Sequence, residues 1–256
     1  MIKRKVFDAA FSSSVLYSCE SWFGADLKPV SKMYTQAIKH MLGVRYSACT
    51  DLCLYEAGFA PVEAVIRDRQ RTAIKRLWDA RRHMDDDPFA HTMNLVTSSR
   101  YVTSTYLTSL LNSRNNIIQD AMNFMKTGIE TSTSTRRITY REVTNPELSI
   151  SEIYFSEHLI PEDQRTAYTR FRVISHSLAV ETGRWNRRGR GRLPLEERLC
   201  PCGTVQTEEH VVQHCPMSQH LRDEYNIASM QQLNGEDLSF EEKCQFIFKI
   251  TQLFKT

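Results

Sequence analysis

The chain has 256 residues, of which 41% are apolar, enough for a packed core in one large domain or two small ones, and this excludes wholesale disorder. No hydrophobic run approaches the roughly 20 residues that cross a bilayer, so the expectation is a soluble protein without a membrane partner. The formal net charge of +3 is too small to argue for nucleic acid by itself, and the placement of the charges has to decide that question.

Met1-Ile2-Lys3-Arg4-Lys5 leads directly to Asp8 and Ser12-Ser13-Ser14, with no apolar segment and cleavage site behind the charges. The expectation is a protein that is not secreted and resides in the nucleus or cytoplasm. From Phe7 to about Trp22, Phe7, Phe11 and Val15 recur every four positions and predict a helix with one buried face. A second helix is expected from about Lys28 to Leu42, where Val30, Met33, Tyr34, Ala37, Ile38 and Met41 form the apolar stripe. Lys28, Lys32 and Lys39 lie off that stripe, and Gly43 stops the helix.

A third helix begins near Pro61 and runs to about His83. Its inner face is Val62, Val65, Ile66, Ala73, Leu77 and Trp78. Arg67, Arg71 and Lys75, extended by Arg82, follow one another along a different face. Asp85-Asp86-Asp87 precedes Pro88-Phe89 and reads as a helix terminator rather than as a pair of metal-binding catalytic acids.

Residues 97–146 are rich in Ser, Thr and Asn, and Thr131 to Thr135 has no periodicity, which reads as a connector carrying one helix from Ile117 to Lys126. Pro161-Glu162-Asp163 has the features of a helix start. Ala167, Phe171, Ile174 and Leu178 mark its buried face, and Gly183 its end. The last helix spans about Phe240 to Phe254, with Phe240, Cys244, Ile247, Phe248, Ile250 and Phe254 apolar. The fold class is therefore mainly α. The division drawn is a helical bundle over residues 1–95, a connector over 96–150 and a small helical metal-binding module over 151–256.

Three of the seven cysteines fall between Cys200 and Cys215, and such clustering points to metal rather than disulfides. Cys200, Cys202, His210 and Cys215 read C-x-C-x7-H-x4-C, a donor set suited to tetrahedral zinc with all four positions filled by protein and none left open for catalysis. Pro201 and Gly203 suit a turn for the first pair. The second pair falls on a short helix capped by Thr207 and ended by Pro216. Five residues advance about 500° at α-helical pitch, so His210 and Cys215 share a face only if the helix loosens. His214, one turn after His210, is the alternative fourth ligand, with Cys215 favoured because a third thiolate suits zinc. His220 reads as a surface residue.

Between Gly183 and Arg198 six arginines stand against two glutamates, a local +4. Arg184, Arg187, Arg188, Arg190 and Arg192 offer forks for phosphate, and Trp185 offers a stacking surface for a base. The plainer alternative is a solvated loop that neutralises Glu196, Glu197, Glu208 and Glu209. The row of Arg67, Arg71 and Lys75 has the same alternative, an ordinary charged helix face.

Both ends of the chain resemble one family. Leu16 to Trp22, Leu42-Gly43-Val44 and Leu54 to Pro61 resemble the thumb that follows the palm in non-LTR (LINE-type) retrotransposon reverse transcriptases. Gly183-Arg184-Trp185, Glu197-Arg198, Cys200-Pro201-Cys202, His210 and Cys215-Pro216 resemble the zinc-binding region at the C-terminus of the same polyproteins. The resemblance implies a thumb gripping a template–primer duplex and a zinc module holding RNA or DNA, with Arg67, Arg71 and Lys75 as phosphate contacts. Two features depart from the family: its first cysteine pair is more often separated by two residues than by one, and the palm with its catalytic aspartates is absent here. The expectation is a non-enzymatic, RNA- or DNA-binding piece without a small-molecule substrate. A zinc-stabilised protein-interaction domain is the second reading, and an enzyme with an unrecognised site the third.

Overall fold

The computed structural model describes residues 2–81, 98, 104–112, 116–151, 160–185 and 191–254. Asp85 to Asp87, Arg82 and the arginines at 187, 188 and 190 lie outside them. The described residues are mainly helical, and their only β-type pairing is an isolated bridge between Leu199 and Val205. The longer helices are α1 (Lys28–Leu42), α2 (Thr50–Glu56), α3 (Val62–Arg81), α4 (Ser104–Asn112), α5 (Ile117–Glu130), α6 (Glu162–Arg172), α7 (Gln219–Tyr225) and α8 (Phe240–Leu253).

The chain divides into two compact units that do not follow the division drawn from composition. The larger holds residues 38–58 and 126–256, and the smaller holds 2–37 and 59–125. Residues 38–58 and the second half of the Ser/Thr-rich stretch thus pack with the C-terminal region. The reason is a set of long-range polar contacts that periodicity cannot reveal.

In the smaller unit the N-terminal helical run covers residues 2–15 and then breaks at Ser18, which adopts a left-handed φ of 53°. This is well short of the expected end near Trp22. Phe7 stacks on Phe11 at 5.0 Å and meets Phe59 edge-on at 5.0 Å and Tyr34 at 5.6 Å, so the four-residue periodicity does mark the buried side. Arg4 lies 4.3 Å above the Phe59 ring. Helix α3 buries Val62, Ile66, Gln70 and Ile74, and Ile74 packs with Leu110 of α4 beside Phe23, Leu77 and Tyr106. Met33, expected in an apolar stripe, is instead 47% exposed.

In the larger unit α6 packs along α8, burying Tyr168 and Phe171 on one side and Cys244, Phe246, Ile247 and Ile250 on the other. A Ser239–Glu242 capping box starts α8. Helix α6 stops at Arg172, earlier than Gly183, because Ile174 turns left-handed at φ 52°, and a short helix, Ala179–Thr182, follows. Lys39, off the apolar stripe of α1, is nevertheless buried, and its Nζ donates to Tyr46 O at 3.0 Å and Ala48 O at 2.7 Å.

Glu56 forms the polar centre of this unit. It receives two hydrogen bonds from Arg172 and one from the Tyr140 hydroxyl, at 2.7 Å. Asn145 donates to Tyr140 Oη at 2.8 Å, and Arg172 also donates to Thr144 O at 2.9 Å. Burial next to the Glu56 charge pushes the Tyr140 hydroxyl well above its ordinary pKa and keeps it a donor.

Candidate metal centre and basic surface

The four expected ligands converge. One donor atom from each of Cys200, Cys202, His210 and Cys215 lies within 4.8 Å of all the others. Cys200 Sγ is 3.6 Å from Cys215 Sγ, and Cys202 Sγ is 3.2 Å from His210 Nε2. Neighbouring ligands around tetrahedral zinc with a bond length of about 2.3 Å to sulfur are separated by about 3.8 Å, so the spacing suits a metal and is far too long for a disulfide.

The local sequence explains the convergence. Residues 198–206 fold into a tight hairpin in which Cys200 N donates to Thr204 O at 2.7 Å, Gly203 N to Cys200 O at 2.8 Å and Gln206 N to Arg198 O at 2.8 Å. Gly203 sits at φ +91°, a conformation that a side chain would strain. Gln206 anchors the hairpin by accepting a hydrogen bond from Ala179 N at 2.6 Å.

Across the site, the Thr207 hydroxyl caps the next turn by accepting from His210 N at 3.0 Å. From His210 to His214 the helix widens to i→i+5 bonding, with Cys215 N donating to His210 O at 2.8 Å. This π-type turn is the loosening that the five-residue interval demands. Cys215 then leaves the helix in an extended conformation before Pro216. His214 is exposed and is not one of the clustered donors, and His220 is also exposed.

Two of the four donors lean toward the ligand form. Hydrogen bonding from Thr204 N draws Cys202 below its ordinary pKa, while burial lowers His210 and favours the neutral ring. Burial pushes the Cys200 thiol up to about 12, so a metal ion would displace its proton.

The cationic residues are more dispersed. Arg184 is half-buried with Nε 3.1 Å from Glu181 Oε2, and burial lowers its pKa against the pull of Glu181. Arg136 also pairs with Glu181 and lies 5.5 Å from the Trp185 ring, a contact joining residues 49 positions apart that no sequence pattern signals. Arg192 is exposed and lines a hollow with Arg184 and Arg198. Arg198 points inward instead, donating to Leu193 O and Val180 O. Glu181, rather than Glu196 or Glu197, is the partner of Arg184.

No known protein family, curated protein or solved structure gives a significant match to this chain.

On α3 of the smaller unit, Arg67 and Lys75 are exposed and Arg71 is partly buried. Arg67 hydrogen-bonds the Tyr106 hydroxyl, although burial is the larger influence on that phenol. Among the described residues no helix is long and apolar enough to cross a membrane.

Two buried groups near the metal cluster escaped the sequence reading. His176 Nε2 donates to Glu208 Oε1 at 2.8 Å, with the His176 side chain fully buried. Their 32-residue separation hides the pair from any local motif.

Proposed function

We propose that this chain is a non-catalytic nucleic-acid-binding fragment of the kind that follows the palm in non-LTR reverse transcriptases, with a structural zinc ion on Cys200, Cys202, His210 and Cys215. The observation that carries the reading is the approach of three thiols and one imidazole to within 4.8 Å of one another. Four protein donors fill a tetrahedron and leave no place for an activated water. The ion's role is then to tie the 198–206 hairpin to the 207–218 turn. Arg184, Trp185 and Arg192 adjoin this frame, and together with Arg187, Arg188 and Arg190 they supply charge and a stacking surface for RNA or DNA. Arg67, Arg71 and Lys75 supply a second phosphate-facing row.

Two measurements test the proposal. Elemental analysis of purified protein should give one zinc per chain. Binding to RNA and DNA, followed by fluorescence anisotropy across a salt series, should weaken by about 0.7 to 0.9 logarithmic units per tenfold rise in salt for each phosphate neutralised. A flat salt response would defeat the nucleic-acid part and leave the metal part standing.

One observation favours a second reading, a zinc-stabilised protein-interaction domain. Arg184 and Arg198 are engaged within the fold, by Glu181 and by backbone carbonyls, which reduces the charge available to phosphate. The flat salt response would select it.

A further inference from the structure

Away from the metal cluster, the larger unit has a cleft of about 600 Å³ lined by α6, α8, the 175–177 segment and Arg45. That volume lies in the range of ligand pockets. Its charged walls are unusual. Arg45 is exposed and has no ion pair among the described residues, and Arg170 has only a backbone acceptor, donating from Nε to Gly43 O at 2.7 Å. Arg45 and Arg170 both line the cleft, and partial burial, with the Arg45 charge as a lesser influence, holds Arg170 below its ordinary pKa. Of the acids on the rim, Glu162 is held by Arg165 at 2.6 Å, and Asp163 accepts from Gln164 N at 2.9 Å.

One remaining wall is aromatic. Phe248, on α8, gives the cleft a half-buried aromatic surface. His176 also lines it, and although its ring is fully buried, Nδ1 has no hydrogen-bond partner among the described residues. The turn presenting Ser175 and His176 depends on Ile174 at φ 52°, an outlier for a β-branched residue. Such strain persists where the surrounding structure holds a functional geometry.

We propose that this cleft binds one nucleotide unit, with its phosphate at Arg45 and Arg170 and its base against Phe248. The unit is either a free nucleotide or one unpaired residue of a strand. Only the strand form rests on the nucleic-acid reading above.

The test uses the full zinc-loaded chain with three probes: inorganic phosphate, adenosine 5′-monophosphate and a labelled single-stranded hexaadenylate. Arg45→Ala removes an exposed side chain and leaves the fold intact. It should weaken all three probes at least fivefold. Phe248→Leu should weaken the mononucleotide and the hexamer severalfold and leave phosphate unchanged. The proposal is overturned if the mononucleotide and the hexamer bind neither protein, or bind Arg45→Ala as tightly as the parent. It is also overturned if Phe248→Leu affects no probe, which would reduce the cleft to a simple anion site. Mononucleotide binding without any affinity for longer nucleic acid would keep the cleft and remove the proposed nucleic-acid function. Steep salt-dependent binding of long RNA or DNA that Arg45→Ala leaves unaltered would do the reverse.

Discussion

Arg172 grips Glu56 through two parallel hydrogen bonds, Nε to Oε1 at 2.8 Å and Nη2 to Oε2 at 3.1 Å, across 116 residues of sequence and with the carboxylate fully buried. The pair ties α2 to α6, while Tyr140 and Thr144 bring the 140–145 turn to the same point. Removing one partner leaves the other charge buried and alone. Glu56→Gln and Arg172→Met should therefore each destabilise the larger unit by about 3–5 kcal/mol in urea unfolding, and the double variant should recover part of that loss. Single variants within 1 kcal/mol of the parent would show that water reaches the pair.

This relationship also shows where sequence reasoning stops. A helix with regular apolar spacing such as α8, expected over about Phe240 to Phe254 and found at Phe240–Leu253, is legible to within a residue or two. So are the four donors of the metal cluster, because the chemistry of that site is written within sixteen residues. The grouping of 38–58 with the C-terminal region is not legible. Glu56, Arg165 and Arg172 look like surface residues in a linear pattern, and only their distant partners bury them. For the same reason the burial of Lys39, which lies off the apolar stripe of α1 and donates to the carbonyls of Tyr46 and Ala48, has no local signal.

Gly43 offers a sharper local test. It stops α1 at φ +69°, and a Cβ there would stand 2.8 Å from Thr166 Oγ1 and 2.9 Å from Thr166 Cγ2. Gly43→Ala combines a disfavoured backbone with a steric clash and should cost about 1–3 kcal/mol in thermal or urea unfolding. Adding Thr166→Ala should return the steric share and leave the backbone share. A Gly43→Ala variant as stable as the parent would mean that the turn readily adopts another conformation.

The start of α8 predicts a pH dependence. Hydrogen bonds from the Ser239 side chain and backbone hold the exposed Glu242 carboxyl below its ordinary value. A depressed folded-state pKa contributes stability that is complete above the unfolded value and is lost as pH falls through the folded one. Ser239→Ala should thus lower the melting temperature at pH 7, and the difference from the parent should shrink as the pH drops toward 3. An NMR titration should show the Glu242 pKa rising in the variant. A melting difference that does not change with pH would assign the cap's effect to the serine hydroxyl alone.

The widened turn between His210 and Cys215 decides which residue completes the candidate metal site. On an ordinary α-helix His214 would stack one turn above His210 and compete for the ion. Here the i→i+5 bond from Cys215 N to His210 O displaces the register, leaving His214 exposed and bringing the Cys215 sulfur to 3.6 Å from Cys200 Sγ. With zinc bound as proposed, Cys215→Ala should therefore lose the metal on dialysis against a mild chelator and open residues 198–218 to protease. His214→Ala should keep one zinc per chain and the parent's digestion pattern. If His214→Ala lost the metal and Cys215→Ala retained it, the helix would have to run unbroken in solution, with the thiol displaced from the site by the imidazole.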